Sequence, residues 1–227
     1  MPFPELGERV AAVKARIAEA AKRGGHIREV TIVAVTKTHG HEAAEAAWSA
    51  GIPDVGENKV QEALGKMVVA GVPVRWHLIG HLQRNKVRSL DRFFLFHALD
   101  SSRLADAIGR VGIDRGAPIE VLLQVNAAGE ETKGGLDPAN VAAEAERLAG
   151  MAGIVVRGAM TMARLGADER ELRETFAAAR EARRVLADAG HPATELSMGM
   201  SNDYEIAVEE GATMVRLGSI LFGAREP

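Results

Sequence analysis

Residues 30–40 read V-T-I-V-A-V-T-K-T-H-G, and this segment decides the fold. Side chains alternate along a strand, so Val33, Val35 and Lys37 share one face. Both faces are largely apolar, which is typical of a parallel strand that is covered on two sides. The segment therefore predicts a buried parallel strand that ends in Lys37.

A lysine at the end of such a strand has two interpretations. An ammonium group almost never stays buried without a partner, so the side chain of Lys37 can reach water along its own aliphatic stem. Alternatively, its amine is held in a pocket as a nucleophile toward an aldehyde, with which it forms a Schiff base. The rest of the sequence has to decide between the two.

The composition restricts the class of protein. At 227 residues and 24.2 kDa, residues 1–227 are expected to form one domain, because α/β barrels often reach this size undivided. The net charge is −3, and charged residues of both signs are interspersed without a basic patch, which argues against nucleic-acid binding. The absence of cysteine excludes disulfides and thiolate chemistry. Neither a membrane-spanning run nor a secretory signal is present, so we expect a cytoplasmic protein with no membrane partner.

Predicted strands and helices alternate along the chain, with a new strand about every 26 residues. The predicted strands begin near Val30, Pro53, Val74, Leu95, Ile119, Ile154, Ala193 and Met214. The predicted helices cover residues 5–23, 41–50, 58–69, 85–92, 102–111, 138–151, 168–189 and 202–210. Eight βα units predict a single (β/α)8 TIM barrel of the α/β class, in which the additional N-terminal helix takes the place of a missing eighth helix. A doubly wound open sheet is the alternative, but no G-x-G-x-x-G motif follows the first strand.

Candidate functional residues are those at the C-terminal ends of the strands, where barrels carry their active sites. Asn58 follows the second strand and is either a helix N-cap or a ligand contact, and both can hold. His77 is expected to be a hydrogen-bonded core histidine and His81 a rim residue that can touch a ligand. No acidic residue lies at metal-ligand spacing from these histidines, so no metal site is predicted.

Two further strand ends have plain interpretations. The Gly-rich loop at residues 129–135 is either a mobile lid or a solvated surface loop. Met160 and Met162 end the sixth strand and are expected to fill the core.

The last two strands carry the strongest signal. Ser201, Gly218 and Ser219 offer hydroxyls and backbone N–H groups where barrels commonly bind phosphate. Alternation along the eighth strand points Arg216 into the barrel, and barrel closure brings it near Lys37. This combination suits a phosphorylated aldehyde, and pyridoxal phosphate (PLP) is the commonest such cofactor. A Schiff-base aldolase acting on a sugar phosphate is the competing interpretation.

Six motifs resemble those of the pyridoxal phosphate homeostasis protein family. In chain order they are A-V-T-K-T-H, G-E-N-K-V-Q-E, W-H-L-I-G-H-L-Q-R-N-K, V-L-L-Q-V-N-A-A-G-E-E-T-K-G-G, G-A-M-T-M and L-S-M-G-M-S-N-D-Y-E-I-A-V-E-E-G-A-T-M-V-R-L-G-S-I-L-F-G. The resemblance extends from about residue 30 to residue 223. It implies a fold similar to the N-terminal barrel of bacterial alanine racemase.

The resemblance also implies a role for each candidate residue. Lys37 would carry PLP as an internal aldimine, Arg216 would face the pyridine nitrogen, and Asn58 would lie near the ring. The phosphate would be held by Ser201, Gly218 and Ser219.

An arginine at the pyridine nitrogen argues against efficient catalysis. A guanidinium only donates, so the ring nitrogen stays unprotonated and the ring is a weak electron sink. Racemisation would need a second acid/base group on the face opposite Lys37. In alanine racemase a tyrosine of an additional C-terminal domain supplies it, and we expect no such domain in a chain that ends at Pro227. The only tyrosine, Tyr204, is expected to have a surface or packing role.

The sequence therefore predicts a monomeric PLP-binding protein of intracellular vitamin B6 homeostasis. It would hold PLP as a Schiff base on Lys37 without significant turnover, with apo PLP enzymes as candidate recipients. A PLP-dependent amino-acid racemase is the alternative, and a Schiff-base aldolase is less favoured.

Overall fold

Eight parallel strands form the sheet, and β8 pairs with β1 to close it into a barrel. The computed structural model describes residues 2–130 and 134–223. The strands are β1 Thr31–Val35, β2 Asp54–Glu57, β3 Arg75–Leu78, β4 Leu95–Leu99, β5 Ile119–Gln124, β6 Ile154–Met160, β7 Glu195–Ser197 and β8 Met214–Leu217. Each predicted strand start lies within two residues of an observed one, so the predicted (β/α)8 barrel is confirmed.

Helices surround this barrel. They are α1 Leu6–Arg23, α2 Glu42–Ser49, α3 Val60–Val69, α4 Ser102–Asp114, α5 Val141–Ala149, α6 Glu169–Asp188, α7 Tyr204–Glu209 and α8 Ser219–Phe222. Arg84–Arg92 and Pro138–Asn140 are 3-10 helices. The first of these was predicted as an ordinary helix, but its buried residues Val87 and Leu90 are three apart, which matches three residues per turn.

The N-terminal helix completes the outer layer. Its buried residues Leu6, Val10, Val13 and Ile17 recur every three or four positions and form one apolar stripe. Because α8 is a single turn, α1 packs against both α7 and α8 and covers the side of the barrel that a longer eighth helix would cover. None of the helices in the described part of the chain combines the length and apolarity needed to cross a bilayer.

Strand β1 is shorter than predicted. It ends at Val35, and Lys37 lies two residues further on, in a turn. Pairing with β2 ends at the register Val35–Gly56, and pairing with β8 ends at Ala34–Leu217. The backbone is therefore released from the sheet immediately before the lysine.

Candidate functional site

A cavity of about 1090 Å³ lies at the C-terminal end of the barrel. Its lining includes all six residues predicted from the sequence to contact the cofactor, namely Lys37, Asn58, Ser201, Arg216, Gly218 and Ser219. They come from the ends of β1, β2, β7 and β8, and closure of the barrel brings them together. The cavity is therefore the candidate site.

The turn that carries Lys37 is fixed on both sides of the lysine. The Thr36 N–H donates to the carbonyl of Gly56 (3.1 Å), and the Thr38 N–H donates to the carboxylate of Glu62 (2.7 Å). Thr38 has φ 70°, in the left-handed region that β-branched residues rarely adopt. The hydrogen bond to Glu62 helps to hold this strained conformation, and with it the backbone of Lys37.

A second lysine, Lys66 of α3, lies buried behind this turn and was not singled out from the sequence. Its Nζ donates to the carbonyl of Thr36 (2.8 Å), to Glu57 Oε1 (2.7 Å) and to Glu62 Oε1 (2.9 Å). These bonds use all three donors of an ammonium group. Burial raises the pKa of Glu57, although the hydrogen bonds from Lys66 and Thr36 act in the opposite direction. Lys66 thus fixes the residue before Lys37 from outside the barrel.

Asn58 lies where β2 meets its helix, and it is half-buried in the lining of the cavity. The N-cap of α3 is Lys59, so the N-cap interpretation of Asn58 is wrong. Gly80, after β3, packs directly on the backbone of Asn58, because a Cβ atom there would lie 2.4 Å from the Asn58 carbonyl oxygen. This close approach fixes the position of Asn58 at the cavity.

The loops after β7 and β8 meet at one side of the cavity. Ser201 Oγ accepts a hydrogen bond from the Ile220 N–H of α8 (3.3 Å). Gly218 precedes α8 and Ser219 begins it, and the first N–H groups of a helix have no acceptor within that helix. Hydroxyls and N–H donors thus converge at Ser201, Gly218 and Ser219, which is the donor set that binds a phosphate group.

Arg216 is 4% exposed and points into the barrel, as its parity on β8 predicts. Its Nη1 donates to Ser197 Oγ (2.6 Å) and its Nη2 to the carbonyl of Thr161 (2.8 Å). Burial lowers the pKa of Arg216 to about 10, so the guanidinium is still protonated at neutral pH. The neighbours Val215 and Leu217 pack outward into the hydrophobic core, as predicted.

His81 stands at the rim of the cavity, as predicted, with 70% of its side chain exposed. Its Nδ1 lies 2.8 Å from Oδ2 of Asp100, the residue after β4. This contact orients the His81 ring and leaves Nε2 available to a ligand in the cavity. Asp100 was not predicted, since its contact with His81 depends on the pairing of β3 with β4.

The remaining sequence predictions have mixed outcomes. His77 is fully buried and hydrogen-bonded to Asp54 and His97, which confirms a core histidine. Met160 is buried in the core, but Met162 is only partly buried and also lines the cavity. Tyr204 is buried in the hydrophobic core.

Two predictions are not decided: the nature of the 129–135 loop and the absence of a metal site. Residues 131–133 of the predicted 129–135 loop lie outside the described residues. Within residues 2–130 and 134–223, no cluster of three or more His, Asp or Glu side chains is arranged to hold a metal ion.

Comparison with known proteins gives consistent matches over the whole barrel. Residues 9–226 match the profile of the family described as "Alanine racemase, N-terminal domain". The "Pyridoxal phosphate homeostasis protein" of Pseudomonas aeruginosa is 39% identical over 224 residues, which is 97% of this chain and 96% of that protein. The protein of the same name from Aquifex aeolicus is 38% identical over 223 residues, covering 96% and 98% of the two chains.

Among solved structures, PipY of Synechococcus elongatus is similar to this chain over its full length. Its structure without PLP has a TM-score of 0.86 and 36% identity, and it covers 96% of this chain and 100% of that chain. Its structure with PLP bound has a TM-score of 0.83 at the same identity and coverage.

Proposed function

Because the chain belongs to the alanine racemase N-terminal domain family and, within it, to the pyridoxal phosphate homeostasis proteins, we propose that it binds pyridoxal 5′-phosphate in the cavity at the C-terminal end of the barrel. In this proposal the protein acts in intracellular PLP (vitamin B6) homeostasis. The observation that carries this proposal is the convergence of Lys37, Arg216 and the phosphate-type donors of Ser201, Gly218 and Ser219 in one cavity.

Each residue has a chemical role in this proposal. Lys37 would hold PLP covalently through Nζ, and PLP would supply the aldehyde for that bond. Ser201 and the backbone N–H groups of Gly218 and Ser219 bind the phosphate. Arg216 would donate to the ring nitrogen, and Asn58 would contact the ring.

The proposal includes little or no catalytic turnover. PLP supplies an electron sink, and the sink is strong only when the ring nitrogen is protonated. Arg216 is buried and charged, and its guanidinium donates to Ser197 Oγ and to the Thr161 carbonyl. Because it can only donate, it favours an unprotonated ring nitrogen. Holding and releasing the cofactor needs only the reversible bond to Lys37.

An amino-acid racemase is the second candidate function, and one observation favours it. Racemisation needs two acid/base groups on opposite faces of the substrate carbon. Lys37 is the first, and His81, oriented by Asp100 in the same cavity, is available as the second. Tyr204 does not line the cavity.

Two finer features complete the proposal. The protein acts in the cytoplasm as a monomer, and apo PLP enzymes receive the cofactor from it. A bond between an amine and an aldehyde is reversible, so Lys37 would be able to release the cofactor to an acceptor.

The first experiment is the absorption spectrum of the purified protein with PLP, followed by borohydride reduction and peptide mass analysis. We expect a yellow protein whose phosphopyridoxyl mass lies on Lys37, and no such mass in Lys37→Ala. Lys22→Ala, which removes an exposed lysine of α1, is the matched control and should behave as wild type. A protein that takes up no PLP would contradict the proposal.

A racemase assay then separates the two functions. We expect the protein to interconvert D- and L-alanine no faster than free PLP does. Turnover that is lost in both Lys37→Ala and His81→Ala would establish the racemase instead.

A further inference from the structure

A chain of hydrogen bonds runs through the interior of the barrel from Arg216 to Asp54. The contacts are Arg216 Nη1 to Ser197 Oγ (2.6 Å), Ser197 Oγ to His97 Nδ1 (2.9 Å), His97 Nε2 to His77 Nδ1 (2.9 Å) and His77 Nε2 to Asp54 Oδ1 (2.9 Å). We call these five residues the interior chain. It begins at the cofactor cavity with Arg216 of β8 and ends at Asp54, the first residue of β2, and both of these residues are in register with Val33 of β1.

The interior chain is unusual for a barrel of this kind. Barrel interiors are filled mainly by branched apolar side chains. Here five polar residues from five strands are each at most 4% exposed. Burying a polar group is costly unless it is hydrogen-bonded, and each residue of the interior chain is hydrogen-bonded to the next.

The two ends of the interior chain restrict the directions of its terminal hydrogen bonds. Arg216 only donates. At the other end, burial raises the pKa of Asp54, but the hydrogen bonds from His77 and Arg75 outweigh burial and hold that pKa below its usual value. The carboxylate is therefore ionised at neutral pH and only accepts.

One arrangement satisfies both ends with a single proton in each bond: each group between them accepts from the Arg216 side and donates toward Asp54. Ser197 donates to His97, His97 donates to His77 through Nε2, and His77 donates to Asp54 through Nε2. In this arrangement Nε2 of each histidine donates and Nδ1 of each histidine accepts. For His97 this agrees with its surroundings, because burial and the neighbouring His77 and Arg216 hold its pKa well below the usual value.

We propose that Asp54, His77, His97 and Ser197 are positioning residues for Arg216, and that this one-way chain sets the orientation in which the guanidinium meets its ligand. Because the hydroxyl proton of Ser197 is committed to His97, Ser197 presents only lone pairs to Arg216. The second bond, to the Thr161 carbonyl, fixes the rotation of the guanidinium plane. The effect on the cofactor rests on the proposed contact of Arg216 with the ring nitrogen of PLP, whereas the direction of the hydrogen bonds does not.

The direction is tested by NMR on the protein without PLP. Long-range proton–nitrogen correlation of 15N-labelled histidine should show His77 and His97 as neutral Nε2–H tautomers at pH 7, with the His97 signals assigned by their loss in His97→Gln. A proton on Nδ1 of His97, or a doubly protonated His77, would overturn the one-way chain whether or not the protein binds PLP.

The positioning role is tested with Asp54→Asn and Ser197→Ala. An asparagine amide can donate to His77 Nε2, which reverses the chain and makes His97 compete with Arg216 for Ser197 Oγ. Ser197→Ala removes the link altogether with little change in shape. In both variants we expect a shifted absorption maximum of bound PLP and a three- to tenfold weaker affinity, with Lys37 still modified.

Asp106→Asn is the matched control, because Asp106 is an exposed partner of Arg147 on the outer surface. It should leave the spectrum and affinity unchanged. Folding of all variants is verified by circular dichroism. Folded Asp54→Asn and Ser197→Ala proteins with the wild-type spectrum and affinity would overturn the positioning role, while a wild-type protein that binds no PLP would refute the proposed function and leave the NMR result standing.

Discussion

The backbone immediately before Lys37 is held by a buried ion-paired group that does not line the cavity. Lys66 binds Thr36, Glu57 and Glu62 at once, and its side chain is only 8% exposed. Removing one partner of a buried ion pair leaves an uncompensated charge, whereas replacing both by apolar residues is often neutral for stability. Comparing a single with a double substitution at this ion pair therefore separates the contribution of Lys66 to stability from its effect on Lys37.

We expect Lys66→Met to lower the free energy of unfolding by about 3 kcal/mol and to weaken PLP binding about tenfold. The double variant Glu57→Leu/Lys66→Met should recover most of the stability but not the affinity for PLP, because the Thr36 carbonyl still lacks the hydrogen bond from Lys66. Denaturant unfolding and PLP titration measure the two effects. Lys86→Met, which removes a surface lysine bonded to Gln61, should change neither. Wild-type affinity in the double variant would show that Lys66 acts on stability alone.

Glu195 gives the protein a stability that depends on pH. Burial raises the pKa of this carboxyl, but the hydrogen bonds from Arg28, Thr213 and Thr194 outweigh burial and lower it below 4.5. A carboxyl with a lowered pKa in the folded state adds stability above its unfolded pKa, and this contribution is lost as the pH falls through the folded value.

Glu195→Gln should therefore reduce the free energy of unfolding by about 1–2 kcal/mol at pH 7, and the difference from wild type should shrink as the pH falls below the usual glutamate pKa of about 4.3. Chemical denaturation across this range measures it. Glu146→Gln, on the exposed face of α5, is the control and should follow wild type throughout. A difference that stays constant with pH would mean that the charge of Glu195 is not what stabilises the fold.

At the scale of elements, the turn after β3 is defined by a glycine. A Cβ at Gly80 would lie 2.4 Å from the carbonyl oxygen and 2.9 Å from the Cα of Asn58, and neither backbone atom can move without moving β2. Gly80→Ala should therefore cost about 1–3 kcal/mol of stability and weaken PLP binding, because Asn58 is displaced.

Gly65 is the matched control for this substitution. It lies inside α3, and a Cβ there would meet no atom within 4 Å. Gly65→Ala should stabilise the protein by about 0.5–1 kcal/mol with unchanged PLP affinity. Thermal unfolding and PLP titration of both variants measure the contrast. Equal effects of the two substitutions would rule out the close approach of Gly80 to Asn58.

The elements also show what the sequence could predict. Arg216 follows from parity on β8, Lys37 from its place just after the first β-branched run, and the strand starts from short β-branched runs between helical segments. Lys66, Asp100 and His97 act through contacts between different elements, and no local pattern encodes such contacts. The spacing of Glu62 and Lys66, four residues apart on α3, was a signal for their own ion pair but not for their contact with Thr36.

At the scale of the whole molecule, we expect a monomer. The exposed large apolar side chains of the described residues lie on several separate elements and are Ile27, Trp48, Val68, Val69, Phe94, Ile113, Leu165 and Met200. A stable interface instead needs a contiguous, largely apolar patch of about 800 Å² on each partner. Light scattering after gel filtration should give 24.2 kDa with and without PLP. A mass twice as large would refute the monomer.

Cofactor binding should stabilise the whole fold, because a ligand that binds only the folded state adds RT ln(1 + [L]/Kd), about 2.7 kcal/mol at a hundredfold excess over Kd. For a domain of this size, that corresponds to a rise in Tm of roughly 5–10 °C. Pyridoxine 5′-phosphate, which has the same ring and phosphate but no aldehyde, isolates the contribution of Lys37. In wild type the rise in Tm should be larger with PLP than with pyridoxine phosphate, and in Lys37→Ala the two rises should be equal and small. Equal rises in wild type would mean that the cavity binds the ring and the phosphate without a covalent bond to Lys37.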